Sequence, residues 1–366
     1  MTARLPTAVR AIVVGGGIAG TSVAYHLAEL GWRDVLLLEQ NELGAGTTWH
    51  AAGAVGRLRV TGSLARMNDR SAKLYQRLEA ETGVATGYKQ VGGLALAQTA
   101  ERMSQLRRTG SMAQQFGVDV HIISPSEAAE LWPLASLDDI IGAAWLPDDG
   151  RAEPAQLPIA IGEGARRHGA TVREGVRVLE VLHREGRATG VRTDQGDIAA
   201  EVVVLACGMW TRQLALGCGV SVPLHPVEHH YLLSNSTGQD LDLAPVTRDL
   251  DGTIYFRGER DTILIGAFQP ESKPWMVDRV PDDFAFSLLE PDWKHFEEPL
   301  AEGYARLPIL REIGFAKFVN GPESFTPDGN LILGEKAKSS GTRSTIHGLL
   351  SGWKAPMRMV SRSPRK

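Results

Sequence analysis

Residues 10–40, RAIVVGGGIAGTSVAYHLAELGWRDVLLLEQ, constrain this chain more than any other stretch. Ala11 to Val14 is a short apolar run, Thr21 to Leu30 carries Val23, Leu27 and Leu30 at helical spacing, and Val35 to Leu38 is a second unbroken apolar run. Strands that are apolar at every position are buried on both faces, and a helix between two of them makes the pair parallel, as a βαβ unit. The connecting turn holds Gly15, Gly17 and Gly20 as G-x-G-x-x-G. The first glycine permits a tight turn, the second lets backbone approach a pyrophosphate, and the third lets the helix pack against the sheet. The helix start then offers unpaired N–H groups and positive potential to phosphates. Glu39 closes the second run, where an acid accepts hydrogen bonds from a ribose with a free 2′-OH, and Gln40 beside it joins the candidate cofactor contacts. The unit is predicted to bind a dinucleotide, with FAD and NAD both open on the motif alone.

The rest of the chain organises around that unit. SLARMNDRSAKLYQRLEAETG reads as an amphipathic helix ending at Gly83, and SPSEAAELWP as a helix with a capping box from Ser124 or Ser126, stopping at Pro133. From residue 154 the α/β pattern returns and ends in EVVVLACGMW, a buried strand meeting a glycine. Residues 222–319 turn β-rich, with a helical segment expected near 283–303. The predicted fold class is α/β, α+β overall: a Rossmann-like dinucleotide domain in separated segments (1–60, 150–221 and 320–335), interleaved with an antiparallel-sheet substrate domain (61–149 and 222–319). Its 366 residues suffice for two domains. The formal charge of -4 gives no global reason to expect a nucleic-acid partner. Cys207 and Cys218 lack metal-ligand or disulfide-framework spacing, so no metal is expected and a reducing cytoplasm is the default. No run approaches the ~20 apolar residues of a membrane span.

GTTWHAAG, residues 46–53, bears on the cofactor. Just beyond the ribose acid the chain should run along the pyrophosphate towards the redox ring, which accounts for the small residues Gly44, Ala45, Gly46, Thr47 and Thr48. His50 there could attack the 8-methyl carbon of a flavin, provided its imidazole is neutral. Nicotinamide offers no equivalent position, so His50 favours FAD.

VVGGGIAGTSVAYHLAELGWRDVLLLEQNELGAGTTWHAAG resembles the amino-terminal FAD region of the dimethylglycine and sarcosine dehydrogenase family, within the D-amino-acid-oxidase-like flavoproteins. The likeness continues through ETGVATGYKQVGGLALAQTAERM, VPLHPVEHHYLL, DGTIYFRGE and NGPESFTPDGNLILGE, covering nearly all of residues 10–335. It implies covalent FAD attachment through His50 and oxidation of an N-methyl group of a small amino acid, with hydride passing to the flavin and an imine left behind. It implies an electron-transfer flavoprotein or dioxygen as acceptor, and neither a nucleic-acid nor a membrane partner. It places His229 and Tyr255 on neighbouring strands facing the flavin, where either could hydrogen-bond the amine or take its proton, and Asp328 in a late flavin-contacting loop. Strand alternation should turn His230 away from His229. Arg59, just after the tether, is the candidate clamp for the substrate carboxylate. Val176 should hold the adenine edge, and Ala206 and Gly208 should make a second close approach to FAD, with Cys207 between them as a small packing residue.

After ILGE the likeness stops. Residues 336–366 form an atypical basic tail without an acid, the composition expected of out-of-frame translation or, as a rival, of a basic arm for a nucleic acid or membrane. On this reading the sheet lacks a strand and the flavin lacks donors at its pyrimidine end. An oxidase of another small amine or amino acid, and an inactive FAD-binding fragment, are the alternatives.

Overall fold

A computed structural model describes residues 4–59, 61–276 and 278–334, together with the backbone of 346–348. Two sheets carry the architecture. The first runs in the order Thr171–Arg173, Val35–Leu38, Ala8–Val14, Gly196–Leu205, Arg187–Thr193, Val178–Arg184. Ala8–Val14 is parallel to both of its neighbours, as the βαβ reading requires, and the last two pairings are antiparallel. Every residue from Ala11 to Val14 and from Val35 to Leu38 is buried. On one face the Ile18–Glu29 helix packs beside the Leu157–Arg167 helix, through Ala24, Tyr25, Ala160 and Ile161.

The second sheet has nine strands. Phe315–Phe325 lies along one edge of His225–Ser234; on the other side follow Thr262–Ala267, Ile254–Glu259, Val246–Asp249, Gly93–Ala97, Gly142–Leu146 and His121–Ile123, with the short Lys273–Pro274 strand also on His225–Ser234. All these pairings are antiparallel except Val246–Asp249 with Gly93–Ala97. One face of this sheet is a dry core in which Trp132, Phe256 and Phe296 join Leu94, Ile254 and Ile265 beneath the Glu297–Arg306 helix. His230 belongs to this side, fully buried against Gln269, Phe296 and Phe318. His229 therefore faces the other way.

The helix signals have direct counterparts. The Gly62–Thr82 helix starts with Thr61 accepting from the Leu64 N–H and ends at Gly83 with φ of 75°. Ser124 and Glu127 form the capping box of Pro125–Leu131. Two expectations need correction. The helix expected over 283–303 forms only from Glu297 to Arg306, because Pro281 and Pro291 hold the preceding segment in irregular structure. The first sheet does not lack a tail strand: Ile346–Gly348 pairs parallel with Val203–Leu205. The remainder of the 336–366 tail lies outside the described residues. The expected domain boundary at 320 falls within the continuous Phe315–Phe325 strand.

A buried ion network ties the second sheet to its helix. Arg306, 4% exposed, donates from Nε to Asp249 at 2.9 Å and from Nη2 to Asp139 at 2.9 Å. Asp249 is 1% exposed and also receives the Gln98 amide and the Gly252 N–H. Removing one partner strands the other charge in the interior, which costs far more than the pair itself contributes. Arg306→Ala is expected to lower unfolding stability by about 3–5 kcal/mol, measured from the urea midpoint at pH 7.

Candidate active site

The glycine turn is a set of contacts that no side chain could survive. Gly15 has φ of +106°, and a Cβ there would lie 2.4 Å from the Ala206 carbonyl oxygen; one at Gly20 would lie 1.8 Å from the Gly15 oxygen. Gly17 is the N-cap of the Ile18–Glu29 helix and lacks a capping side chain of its own, so Thr48 supplies the acceptor, taking the Ile18 N–H at 3.2 Å. Together these residues form one end of a cleft whose walls include Gly15, Gly17, Glu39, Gln40, Thr47, Thr48, Val176, Ala206 and Gly208. Gly20 does not line it, and supports the turn from below. Glu39 reaches the cleft, but its carboxylate is engaged by backbone: Oε2 accepts the Gly16 N–H at 2.6 Å and Oε1 the Asn41 N–H at 2.9 Å. Burial raises its pKa against the pull of those two donors. Gln40 is tied to the Asp282 carbonyl, and the Val176 N–H to the Glu39 carbonyl.

The segment after Glu39 threads from this cleft to the second sheet. Trp210 covers Gly46, where a Cβ would stand 3.2 Å from the ring, and Arg257 holds the far side through a 2.7 Å bond from Nε to the Ala52 carbonyl. His50 is thereby carried to Gly321, so close that a Cβ on Gly321 would lie 2.3 Å from the His50 Nδ1. Its Nε2 is buried and has no hydrogen-bond partner among the described residues. Burial, reinforced by the neighbouring His229, pushes its pKa down to about 4, so the imidazole is neutral at physiological pH. Trp49 stands edge-on to it, with ring centroids 5.4 Å apart.

Strand register sets the rest. His229 pairs with Gly321, and Tyr231 and Tyr255 both pair with Gly266. The His229 and Tyr255 rings are nearly parallel, 10° apart in plane and 6.4 Å between centroids. Tyr255 lies over Gly266, where a Cβ would meet its hydroxyl at 2.2 Å. Burial lowers His229 to about 4 and raises Tyr255 above the usual phenol range, which leaves both neutral. Arg248, directly across from Tyr255, extends towards Gly56 and Asp149. Arg59 shares that neighbourhood: burial, then repulsion from Arg248, lowers it to about 10, while Asp149 opposes the change. Asp149 is 2% exposed and receives the Arg57 N–H at 2.7 Å.

The structure thus brings His50, His229 and Tyr255 to one place and sets Arg59 beside Arg248 further along the same face. Asp328 is exposed, and its carboxylate organises its own turn by accepting the Asn330 N–H at 3.0 Å. Cys207 is a packing residue, its thiol donating to the Val14 carbonyl and pushed up to about 12 by burial. Sequence reasoning missed Arg248, Tyr231 and Glu323. An acid within the strand-like GPESF was a usable signal for the last, whereas the place of Arg248 depends on its approach to Gly56 and Asp149, far away in sequence.

A βαβ glycine cradle joined to an antiparallel sheet, with a buried histidine between them, defines a flavoprotein oxidoreductase architecture. The chain belongs to the FAD dependent oxidoreductase family (DAO), whose model matches residues 10–353. It is 41% identical over 336 residues to 4-methylaminobutanoate oxidase (formaldehyde-forming) of Paenarthrobacter nicotinovorans, covering 92% of this chain and 41% of that protein. It is 35% identical to the mitochondrial dimethylglycine dehydrogenase of Rattus norvegicus, over 87% of this chain and 38% of the relative. The chain therefore spans about two fifths of the length of these relatives. Its fold matches the crystal structure of L-proline dehydrogenase from P. horikoshii with a TM-score of 0.81 at 24% identity, covering 94% of this chain and 88% of that one. Among the described residues no helix is long and apolar enough to cross a membrane.

The low pKa of His50 has a sign that can be checked. A histidine buried as the neutral base binds its proton more readily when unfolded, so its contribution is intact above pH ~6.5 and is lost as pH falls towards about 4. Between pH 7 and pH 5 this one group should cost the apoprotein about 2 kcal/mol. In His50→Asn that part of the acid sensitivity should disappear, as read from urea midpoints at the two pH values.

Proposed function

We propose that the chain binds FAD in the cleft, tethers it covalently through His50, and oxidises the C–N bond of a small N-methylated amino acid to an imine. The observation that carries this reading is the buried Nε2 of a neutral His50, without a hydrogen-bond partner among the described residues and placed between the dinucleotide cradle and the His229 face. A tethering histidine needs a free lone pair and a fixed approach, and Gly321 supplies the space for it. The residues present fit the cofactor: the glycine turn leaves room for a pyrophosphate, the Ile18–Glu29 helix start faces it, and Thr47 and Thr48 line the path to His50. FAD, when bound, supplies the hydride acceptor.

The protein's own part is orientation and proton handling. Arg59 and Arg248, cations held near Asp149, take the substrate carboxylate. Neutral His229 accepts a hydrogen bond from the amine, and the un-ionised Tyr255 hydroxyl donates or accepts beside it. The activities of the relatives, on 4-methylaminobutanoate and dimethylglycine, support an N-methyl amino acid as the substrate class. Reoxidation by dioxygen makes the protein an oxidase; reoxidation by an electron-transfer flavoprotein makes it a dehydrogenase.

Two outcomes test the reading. Acid-precipitated protein should stay yellow, with the flavin on the peptide that bears His50, and His50→Ala should release all colour to the supernatant; release from the unmutated chain rejects the tether. Arg248→Met should raise KM for N-methyl amino acids by about one to two orders of magnitude while leaving that for a simple N-methylalkylamine within a factor of about two, measured by steady-state kinetics.

A further inference from the structure

Glu323 carries a function beyond the roles given above. It lies in the Phe315–Phe325 strand opposite Val227, two positions from the Gly321–His229 pair, and so presents its carboxylate on the same face as His229. It is close enough to Tyr231 and Tyr255 to act on both phenols. Among the described residues no hydrogen bond or ion pair reaches its carboxylate. The groups that share the face are His225, His229 and Tyr231 on the adjacent strand, Tyr255 and Arg257 on Ile254–Glu259, and His50 on the tether segment. The cations nearby are Arg257, whose guanidinium is committed to the Ala52 carbonyl and to Glu259, and Arg212, which acts on His225 and is itself engaged; Glu153 adds a further negative charge near Tyr231. A half-buried carboxylate beside neutral histidines and phenols, with no cation engaged to it among the described residues, calls for a counter-charge. The partner that such a carboxylate calls for is a cationic group on a bound molecule.

We propose that Glu323 receives the cationic amine of the substrate and takes its proton. The step is balanced within the pair: the substrate N–H bond breaks, an O–H bond forms on Glu323, the electron pair stays on nitrogen, and the neutral amine that C–N oxidation requires is left in place. Neither oxidant nor metal takes part. Glu323 retains a partial opening to solvent, yet the protein around it raises its carboxyl to about 7, which suits a group that must both accept and return a proton near neutrality. The inference deepens the proposed function and rests on its substrate class, an amine oxidised at C–N.

The test uses the flavin-loaded chain and the variants Glu323→Gln and Glu323→Asp. Charge recognition is read from flavin absorbance during titration with glycine betaine and with its carbon isostere tert-butylacetate, which keeps the carboxylate and lacks the ammonium charge. The wild type should bind betaine at least about tenfold more tightly, and Glu323→Gln should abolish that preference. For sarcosine, Glu323→Gln should lower kcat/KM at pH 7 on the order of 100-fold and remove the acid limb of the pH profile, and Glu323→Asp should restore part of both. A wild type indifferent to the two ligands, including one that binds neither, overturns the assignment, as does a Glu323→Gln variant that keeps the preference or retains kcat/KM within twofold. A wild type that shows the Glu323-dependent preference but oxidises no N-methyl amine upholds Glu323 and rejects the oxidoreductase reading alone.

Discussion

The contact between Gly20 and the Gly15 carbonyl sets how closely the first helix approaches the first sheet, and most of the molecule is arranged around that approach. With the two backbones almost touching, the helix N-terminus points over the strand ends, and Ala206 closes the floor of the turn. Nothing larger than hydrogen fits at Gly15 or Gly20. The turn end of the cleft is therefore made of backbone donors and short side chains at a helix start, while Glu39, Arg177, Arg279 and Asp282 add charge along its other walls. Glu39 belongs to the same device: by accepting the Gly16 N–H it fixes the turn as well as bordering the cleft.

The second sheet contributes through its asymmetry. Its two faces differ because successive residues of each strand alternate between a dry aromatic core and the face turned towards His50. His229 and His230 show the division most plainly, one next to His50 and the other enclosed by Phe296 and Phe318. Arg257 joins the sheets by gripping the segment that carries His50, so the strand that presents Tyr255 also anchors that segment. Orientation of the cleft relative to the polar face is thus enforced by short contacts at both ends of one loop.

Much of this was legible in the sequence because it depends on local rules. The βαβ unit, the glycine turn, the Ser124 capping box and the Gly83 terminus each follow from residues a few positions apart. His230 could be turned away from His229 by alternation alone. Features set by contacts between distant segments were not accessible: a short hairpin puts Arg248 across from Tyr255, but its neighbours Gly56 and Asp149 come from segments well separated along the chain. The late start of the Glu297–Arg306 helix was a misjudged competition between apolar spacing and the two prolines before it. The tail strand was missed because three residues within a segment of unusual composition carry almost no periodic signal.

Trp49 gives the site an optical property of its own. Its indole stands edge-on to His50 and 6.0 Å from Phe286, against the segment that links the cleft to the second sheet. Its Nε1 is buried without a partner among the described residues. A ring chromophore held at His50 would lie within contact range of that indole and drain its emission. With eight tryptophans in the chain, the share of the ultraviolet fluorescence that comes from Trp49 would then fall with the fraction of a preparation that carries cofactor, read without separating or denaturing it.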